Sequence, residues 1–276
     1  LVCADPVVGH THIDCPINID RIIHGRHDRF MVNAGLEGIV AATTQLSHVD
    51  GERGELIIAG YPVGELAEHA TFEETTWLLW HGELPTSSQL ETFRSQLAAA
   101  RTLSPATNAL LQACAKAGLD SMDALRAAAG TISLSTDDPA GIVGCMPTIV
   151  STYWRLRRGQ EPIAPRRHLG HAASFLYLLN GQVPDPEQAR GLETYLNTVV
   201  DHGLNASTFS ARVITSTGSD LVSAVVGAIG ALKGPLHGGA PGPALDMVFE
   251  IGEASRAEAF LRKKIEAGEK LMGFGH

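Results

Sequence analysis

The sequence predicts a mainly α-helical chain with one small β-hairpin near its N-terminus. Three observations predict it. Helix-capping residues followed by apolar positions three and four apart recur through most of the 276 residues. The apolar run from Leu221 to Leu232 is longer than an ordinary strand. Strand-like runs flank only one turn-forming segment, around Asp50.

Taken in order, Thr43 to Leu46 and Glu55 to Ile58 are the strand-like runs, and Asp50-Gly51-Glu52-Arg53-Gly54 between them has the small and polar residues of a hairpin turn. Thr71-Phe72-Glu73-Glu74 forms a capping box, Trp77, Leu78 and Trp80 follow it, and Gly82 with Pro85 stops that helix. Leu90, Phe93 and Leu97 recur at helical spacing. Asp185-Pro186-Glu187 places an N-cap before a proline at the first helical position, ahead of Leu192, Tyr195, Leu196 and Val199, in a helix expected to end near His202. The run between Asp220 and Lys233 is apolar nearly all round, which predicts a central helix buried on every side and stopped by Gly234-Pro235. Ala244, Leu245, Val248 and Ile251 precede Gly252, and Ala257, Leu261 and Ile265 precede Gly268, each as one helical stripe.

Composition bounds the function classes. With 44% hydrophobic and 18% charged residues the chain suits a globular core. A net charge of -9 disfavours nucleic-acid backbones. The 12 residues from Leu221 to Leu232 fall short of the roughly 20 that a bilayer requires, so no membrane partner is expected. Cys3, Cys15, Cys114 and Cys145 lie far apart in a chain large enough to fold without disulfides, which fits a reducing, cytoplasmic setting. Residues 1–30 have no sustained period and read as an appendage, with Met31 a candidate translation start. Cys3, His10, His12 and Cys15 are ligand types for zinc, but they meet no standard spacing. Residues 168 and 171 are histidines beside Arg166 and Arg167; their spacing could place both rings on one helix face, although a solvated basic patch is the simpler reading.

Three histidines stand in glycine-rich or polar settings near helix ends. They are His202 in Asp201-His202-Gly203-Leu204-Asn205-Ala206, His237 in Gly234-Pro235-Leu236-His237-Gly238-Gly239-Ala240, and His276 in Gly273-Phe274-Gly275-His276. Glycine neighbours let a ring and its backbone approach a ligand closely, and a neutral ring can donate a hydrogen bond. Asp201, His202 and Ser207 contain the types of a hydrolytic triad but follow no nucleophile-elbow spacing, and no phosphate-binding glycine loop occurs.

These segments resemble the citrate synthase family. His202 through Val213 resembles its first histidine motif, Lys233 through Pro241 its second, and Met272-Gly273-Phe274-Gly275-His276 its third. Leu36-Glu37-Gly38-Ile39-Val40-Ala41, Asp50 through Ile57, Ala70-Thr71-Phe72-Glu73-Glu74 and Gly82-Glu83-Leu84-Pro85 match as well, so the likeness runs from about Met31 to His276. The resemblance implies a multi-helical fold, with a large domain over residues 31–238 and the start of a small domain, incomplete in this sequence, over residues 239–276. It also implies a homodimer, and an acyltransferase that joins acetyl-CoA to oxaloacetate and releases citrate and CoA.

By the same resemblance, His237 hydrogen-bonds the thioester carbonyl and stabilises the enol or enolate. His276 holds and polarises the oxaloacetate carbonyl, and His202 binds oxaloacetate. Leu271, Met272, Gly273, Phe274 and Gly275 pack around CoA. No metal or cofactor is called for beyond the CoA thioester. In the family the proton-removing carboxylate and the arginines that clamp oxaloacetate follow the third histidine, where this sequence ends, so the sequence is expected to be a fragment of a longer enzyme. Two alternatives stay open: a 2-methylcitrate synthase using propionyl-CoA, since one methylene is worth only about 1–3 kcal/mol, and a non-catalytic dimerising relative.

Overall fold

The structure, a computed structural model, describes residues 42–134, 138–234, 237–238, 241–269 and 271. The chain divides between Thr43 and Thr44, and every element below lies in the second unit. The expected appendage, with its cysteines and histidines, falls outside the described residues.

A three-stranded antiparallel sheet opens this unit: β1 (Ser47–Asp50), β2 (Glu55–Ile58) and β3 (Tyr61–Pro62). The predicted second strand is present, but the first lies four residues later than expected. Asp50 explains the shift. Its Oδ1 accepts the backbone N–H groups of Glu52 and Arg53, both at 3.0 Å, and this tight turn pairs Asp50 with Glu55. A strand at residues 43–46 would need a much longer loop. The third strand is additional. It follows a two-residue turn at Ala59 and Gly60, whose φ values of 46° and 91° are those of a hairpin turn matched to strand twist.

Twelve helices follow among the described residues: α1 (Val63–His69), α2 (Phe72–His81), α3 (Ser87–Ala100), α4 (Pro105–Ala117), α5 (Ser121–Ala129), α6 (Pro139–Arg157), α7 (His171–Asn180), α8 (Pro186–Thr198), α9 (Ala206–Ser216), α10 (Leu221–Leu232), α11 (Pro241–Ile251) and α12 (Ala254–Glu266). The predicted capping box forms at α2: Glu74 N–H donates to Thr71 Oγ1 at 3.2 Å, and Thr71 N–H donates to the Glu74 carboxylate at 2.7 Å. Gly82, at φ 78°, closes the helix. Asp185 caps α8 as the sequence implied, and Asp220 caps α10. Helix α8 ends at Thr198, short of His202.

The central helix is α6, not α10. Helix α6 packs on α3, α4, α5 and α7, and Cys145, Ile149 and Tyr153 join Leu111, Cys114, Ala124 and Ala128 in the main apolar cluster. Its approach to α3 requires Gly144, where a Cβ would lie 2.6 Å from the Leu97 carbonyl oxygen. In α10 only Ala224 and Ile229 are buried. Its all-round apolar composition therefore does not correspond to burial on every side within this chain.

A second cluster, Ile58, Leu66, Ala70 and Leu78, joins the sheet to α1 and α2, and Val200 packs against it. Helix α8 is tied to the end of α1 by one polar stripe. Arg190 Nη1 donates to the Ala70 carbonyl at 2.8 Å, Thr194 Oγ1 to Ala67 at 3.1 Å, and Asn197 Nδ2 to Leu66 and Ala70 at 3.1 and 2.9 Å. The bonds to Ala67 and Ala70 satisfy carbonyls that a helix end otherwise leaves open, and Leu66 also accepts the Ala70 N–H at 3.0 Å.

His168 and His171 do not share a helix face. His168 lies in the loop before α7, whereas His171 is the first residue of α7, buried, with its ring stacked on Phe72 at 4.4 Å. The His171 backbone N–H donates to the Glu73 carboxylate at 2.9 Å. Burial, and secondarily the Arg101 charge, lower its pKa from 6.5 to about 3. The folded protein thus refuses a proton that the unfolded chain accepts below pH 6.5, so this contribution to stability is complete above that pH and lost as pH falls toward 3. Denaturant titrations of the native protein between pH 6.5 and 4.5 should show a stability loss that His171→Gln reduces by about 1 kcal/mol per pH unit. Equal slopes in the two proteins would exclude His171 as the source.

Candidate active site

Helices α9 and α10 are joined by four residues, with Gly218 at φ 78°, and pack as an antiparallel pair. This geometry brings the start of α9 and the end of α10 to the same end of the pair. His202 precedes α9 and His237 follows α10, so two residues far apart in sequence are delivered to one region.

Each is held by its backbone. His202 is the middle residue of a turn in which Gly203 N–H donates to Asp201 Oδ1 at 3.2 Å, and Gly203, at φ 99°, has a conformation that favours glycine. Asn205 then caps α9, its Oδ1 accepting Thr208 N–H at 2.9 Å. On the other side, His237 N–H donates to the Gly234 carbonyl at 2.9 Å and Gly238 N–H to the Leu232 carbonyl at 3.0 Å, wrapping the chain over the end of α10. A Cβ at Gly238 would sit 2.2 Å from the Leu232 carbonyl oxygen, so the glycine after His237 is a steric requirement.

The His237 ring reaches Ser207 in the first turn of α9, with 3.0 Å between Nε2 and Oγ. Ser207 Oγ also lies 2.8 Å from Asn205 Oδ1. If the hydroxyl donates to Asn205, Nε2 must carry the proton and Nδ1 is an acceptor. If it turns to Nε2, Nδ1 carries the proton and becomes a donor. In this geometry the hydroxyl donates to Asn205 Oδ1, so Nε2–H donates to Ser207 Oγ, and the second arrangement requires the hydroxyl to turn away from Asn205, whose Oδ1 keeps the Thr208 N–H. Ser207 therefore couples the tautomer of His237 to the direction of its own hydrogen bond.

Ser207 is the residue whose partner the sequence did not disclose: the structure joins it to His237. The motif Asn205-x-Ser207 was visible, but its partner lies 30 residues away. His202 is exposed, and His237 is half-buried. Of the segment assigned to CoA, only Leu271 lies within the described residues, beyond α12 and half-buried; Met272, Gly273, Phe274, Gly275 and His276 lie outside them. Cys114 and Cys145 are free and buried, and burial pushes the Cys145 thiol up to about 11.

Comparison with known proteins is consistent across sequence and structure. The family model described as citrate synthase, C-terminal domain, matches residues 35–276. The 2-methylcitrate synthase of Mycobacterium tuberculosis is 42% identical over 255 residues, covering 89% of this chain and 65% of that protein. The citrate synthase of Mycolicibacterium smegmatis is 43% identical over 257 residues, covering 89% and 68%. A structure of citrate synthase from Thermoplasma acidophilum, in ternary complex with carboxymethyl coenzyme A and oxaloacetate, aligns with a TM-score of 0.75 at 30% identity, covering 88% of this chain and 67% of that one. The chain spans about two thirds of the length of these proteins.

Proposed function

Because this chain belongs to the citrate synthase family, we propose that the native protein condenses acetyl-CoA with oxaloacetate and hydrolyses the product to citrate and CoA. The observation that carries this reading is the His237–Ser207 contact at the start of α9. It supplies a ring nitrogen whose donor state is set by a hydroxyl, in the position that the family motif gives to the thioester carbonyl. As the methyl proton leaves the acetyl group, negative charge gathers on that carbonyl oxygen, and a prepositioned donor stabilises it more than water does. His202, in its fixed turn, is assigned to oxaloacetate, together with His276. Residues 271–275 are assigned to CoA. The reaction needs no cofactor besides the thioester in this reading.

A homodimer is part of the same proposal. Val150 and Trp154 of α6 and Leu245, Val248 and Phe249 of α11 are exposed, with Phe249 at 72%, and such apolar surface is the kind a second copy covers. The 2-methylcitrate synthase among the relatives supports a second reading in which propionyl-CoA replaces acetyl-CoA.

The test begins with the reading frame beyond the His276 codon and the intact mass of the native protein, followed by CoA release from each thioester with oxaloacetate. Faster turnover of acetyl-CoA is the expected result. A preference for propionyl-CoA by about tenfold or more, the scale of one methylene, would move the assignment to the second reading. Turnover of neither thioester, in a chain that continues with arginines and an acidic residue, would overturn both.

A further inference from the structure

We propose that Ser47 and Asp201 are positioning residues for His202, which makes the small β-sheet a platform for the site; this rests on the reading of His202 as an oxaloacetate ligand. The Ser47 hydroxyl on β1 donates to Asp201 Oδ1 across 154 residues of sequence. The same oxygen accepts the Gly203 N–H that closes the turn around His202. Ser47 therefore holds the acceptor on which the His202 backbone hangs.

The surroundings make the sheet a fixed support rather than a passing contact. Ser47 pairs in register with Ile58, which is fully buried in the cluster that receives Val200. Two consecutive residues, Val200 and Asp201, are thus held by apolar packing and by a hydrogen bond to the same sheet. Upstream, Arg190, Thr194 and Asn197 tie α8 to α1. Downstream, Asn205 caps α9 and meets Ser207, which meets His237. The segment from α8 to α9 is anchored on both sides of His202, and Ser47–Asp201 anchors the residue that directly precedes it. A ligand side chain held in a fixed turn pays less ordering entropy when substrate binds.

Loss of this anchor should therefore appear in substrate affinity more than in the chemical step. The experiment compares Ser47→Ala, Asp201→Ala and Asp201→Asn in the native protein. Asparagine keeps an oxygen that accepts from both Ser47 and Gly203, so it separates hydrogen-bond geometry from charge. Ser47→Ala and Asp201→Ala should raise KM for oxaloacetate about tenfold while kcat changes less than about threefold, as expected for lost ground-state positioning. Asp201→Asn should restore KM to near the native value.

The second readout is the ring-nitrogen resonances of His202 in ¹⁵N-histidine-labelled protein, followed beside the thermal midpoint. Resonances that move in Ser47→Ala and return in Asp201→Asn support the proposal. Native KM and native resonances in Ser47→Ala overturn it, whatever the thermal midpoint does. If the native protein does not turn over oxaloacetate, the reading of the reaction falls, and the resonances alone decide the positioning role. Should Asp201→Ala fail to fold, the Ser47→Ala and Asp201→Asn pair gives the same decision.

Discussion

His237→Ala lowers thioester turnover by about 10²–10³-fold, the usual effect of removing one donor to a developing oxyanion, while leaving the fold within about 1 kcal/mol of the native protein. The two effects separate because the ring is only half-buried and its side-chain contact is with Ser207 rather than with the apolar clusters. Steady-state kinetics beside a urea titration check both halves, and a mutant with near-native kcat would remove His237 from the role assigned to it. Ser207→Ala should act in the same direction but less strongly, because the ring stays in place and only its proton distribution is released. Equal losses in the two mutants would mean that the hydroxyl, rather than the ring, meets the substrate.

Arg101→Ala should destabilise the protein by about 3–5 kcal/mol, the range for breaking a buried charged arrangement, at a position remote in sequence from His202 and His237. Arg101 closes α3 and is only 1% exposed. Its Nη1 donates to the carbonyls of Leu169 and Arg166, at 2.7 and 3.3 Å, just ahead of α7. Burial lowers its pKa, and the carboxylate of Glu73, itself buried, opposes that shift. Removing the guanidinium leaves the loop carbonyls without their donor and Glu73 without a compensating charge. The midpoint of unfolding by circular dichroism measures the loss. A change below about 1 kcal/mol, the scale of a single ordinary hydrogen bond, would show that water replaces the guanidinium at no great cost.

The elements that could be read from the sequence are those whose determinants are local. Thr71, Asp185 and Asp220 declare their helices because a cap acts within three residues, and Gly82 ends α2 by its own φ. Helix α6 was hidden for the opposite reason. Gly141, Gly144 and Pro147 look like breakers, yet Gly144 is there so that α3 can approach, a demand made by Leu97 47 positions away in the chain's numbering. Strand β3 escaped notice because Ala59 occupies a turn position that usually goes to asparagine or aspartate. Helix α10 shows the limit of composition: an apolar surface on all sides records that the helix can be covered, and not that this chain covers it.

The site divides in the same way. His202 and His237 were legible because their glycines serve the residues beside them. Gly203 takes a positive φ, and Gly238 has no room for a Cβ. The links of Ser207 to His237 and Ser47 to Asp201 were not legible, because each depends on how α9 meets α10 or how β1 meets the loop before α9.

The polar stripe between α8 and α1 also constrains the order in which the molecule assembles. Arg190, Thr194 and Asn197 reach back 120 to 131 residues to the last carbonyls of α1. As the chain emerges from the ribosome, the Ala67 and Ala70 carbonyls stay hydrated until α8 is made, and the support beneath His202 is completed only then. The N-terminal sheet and α1 therefore wait, partly satisfied, for a distant segment, and closing so long a loop is a slow step in folding. A helper that shields exposed apolar surface during synthesis would act on this stage, before His202 and His237 are in place.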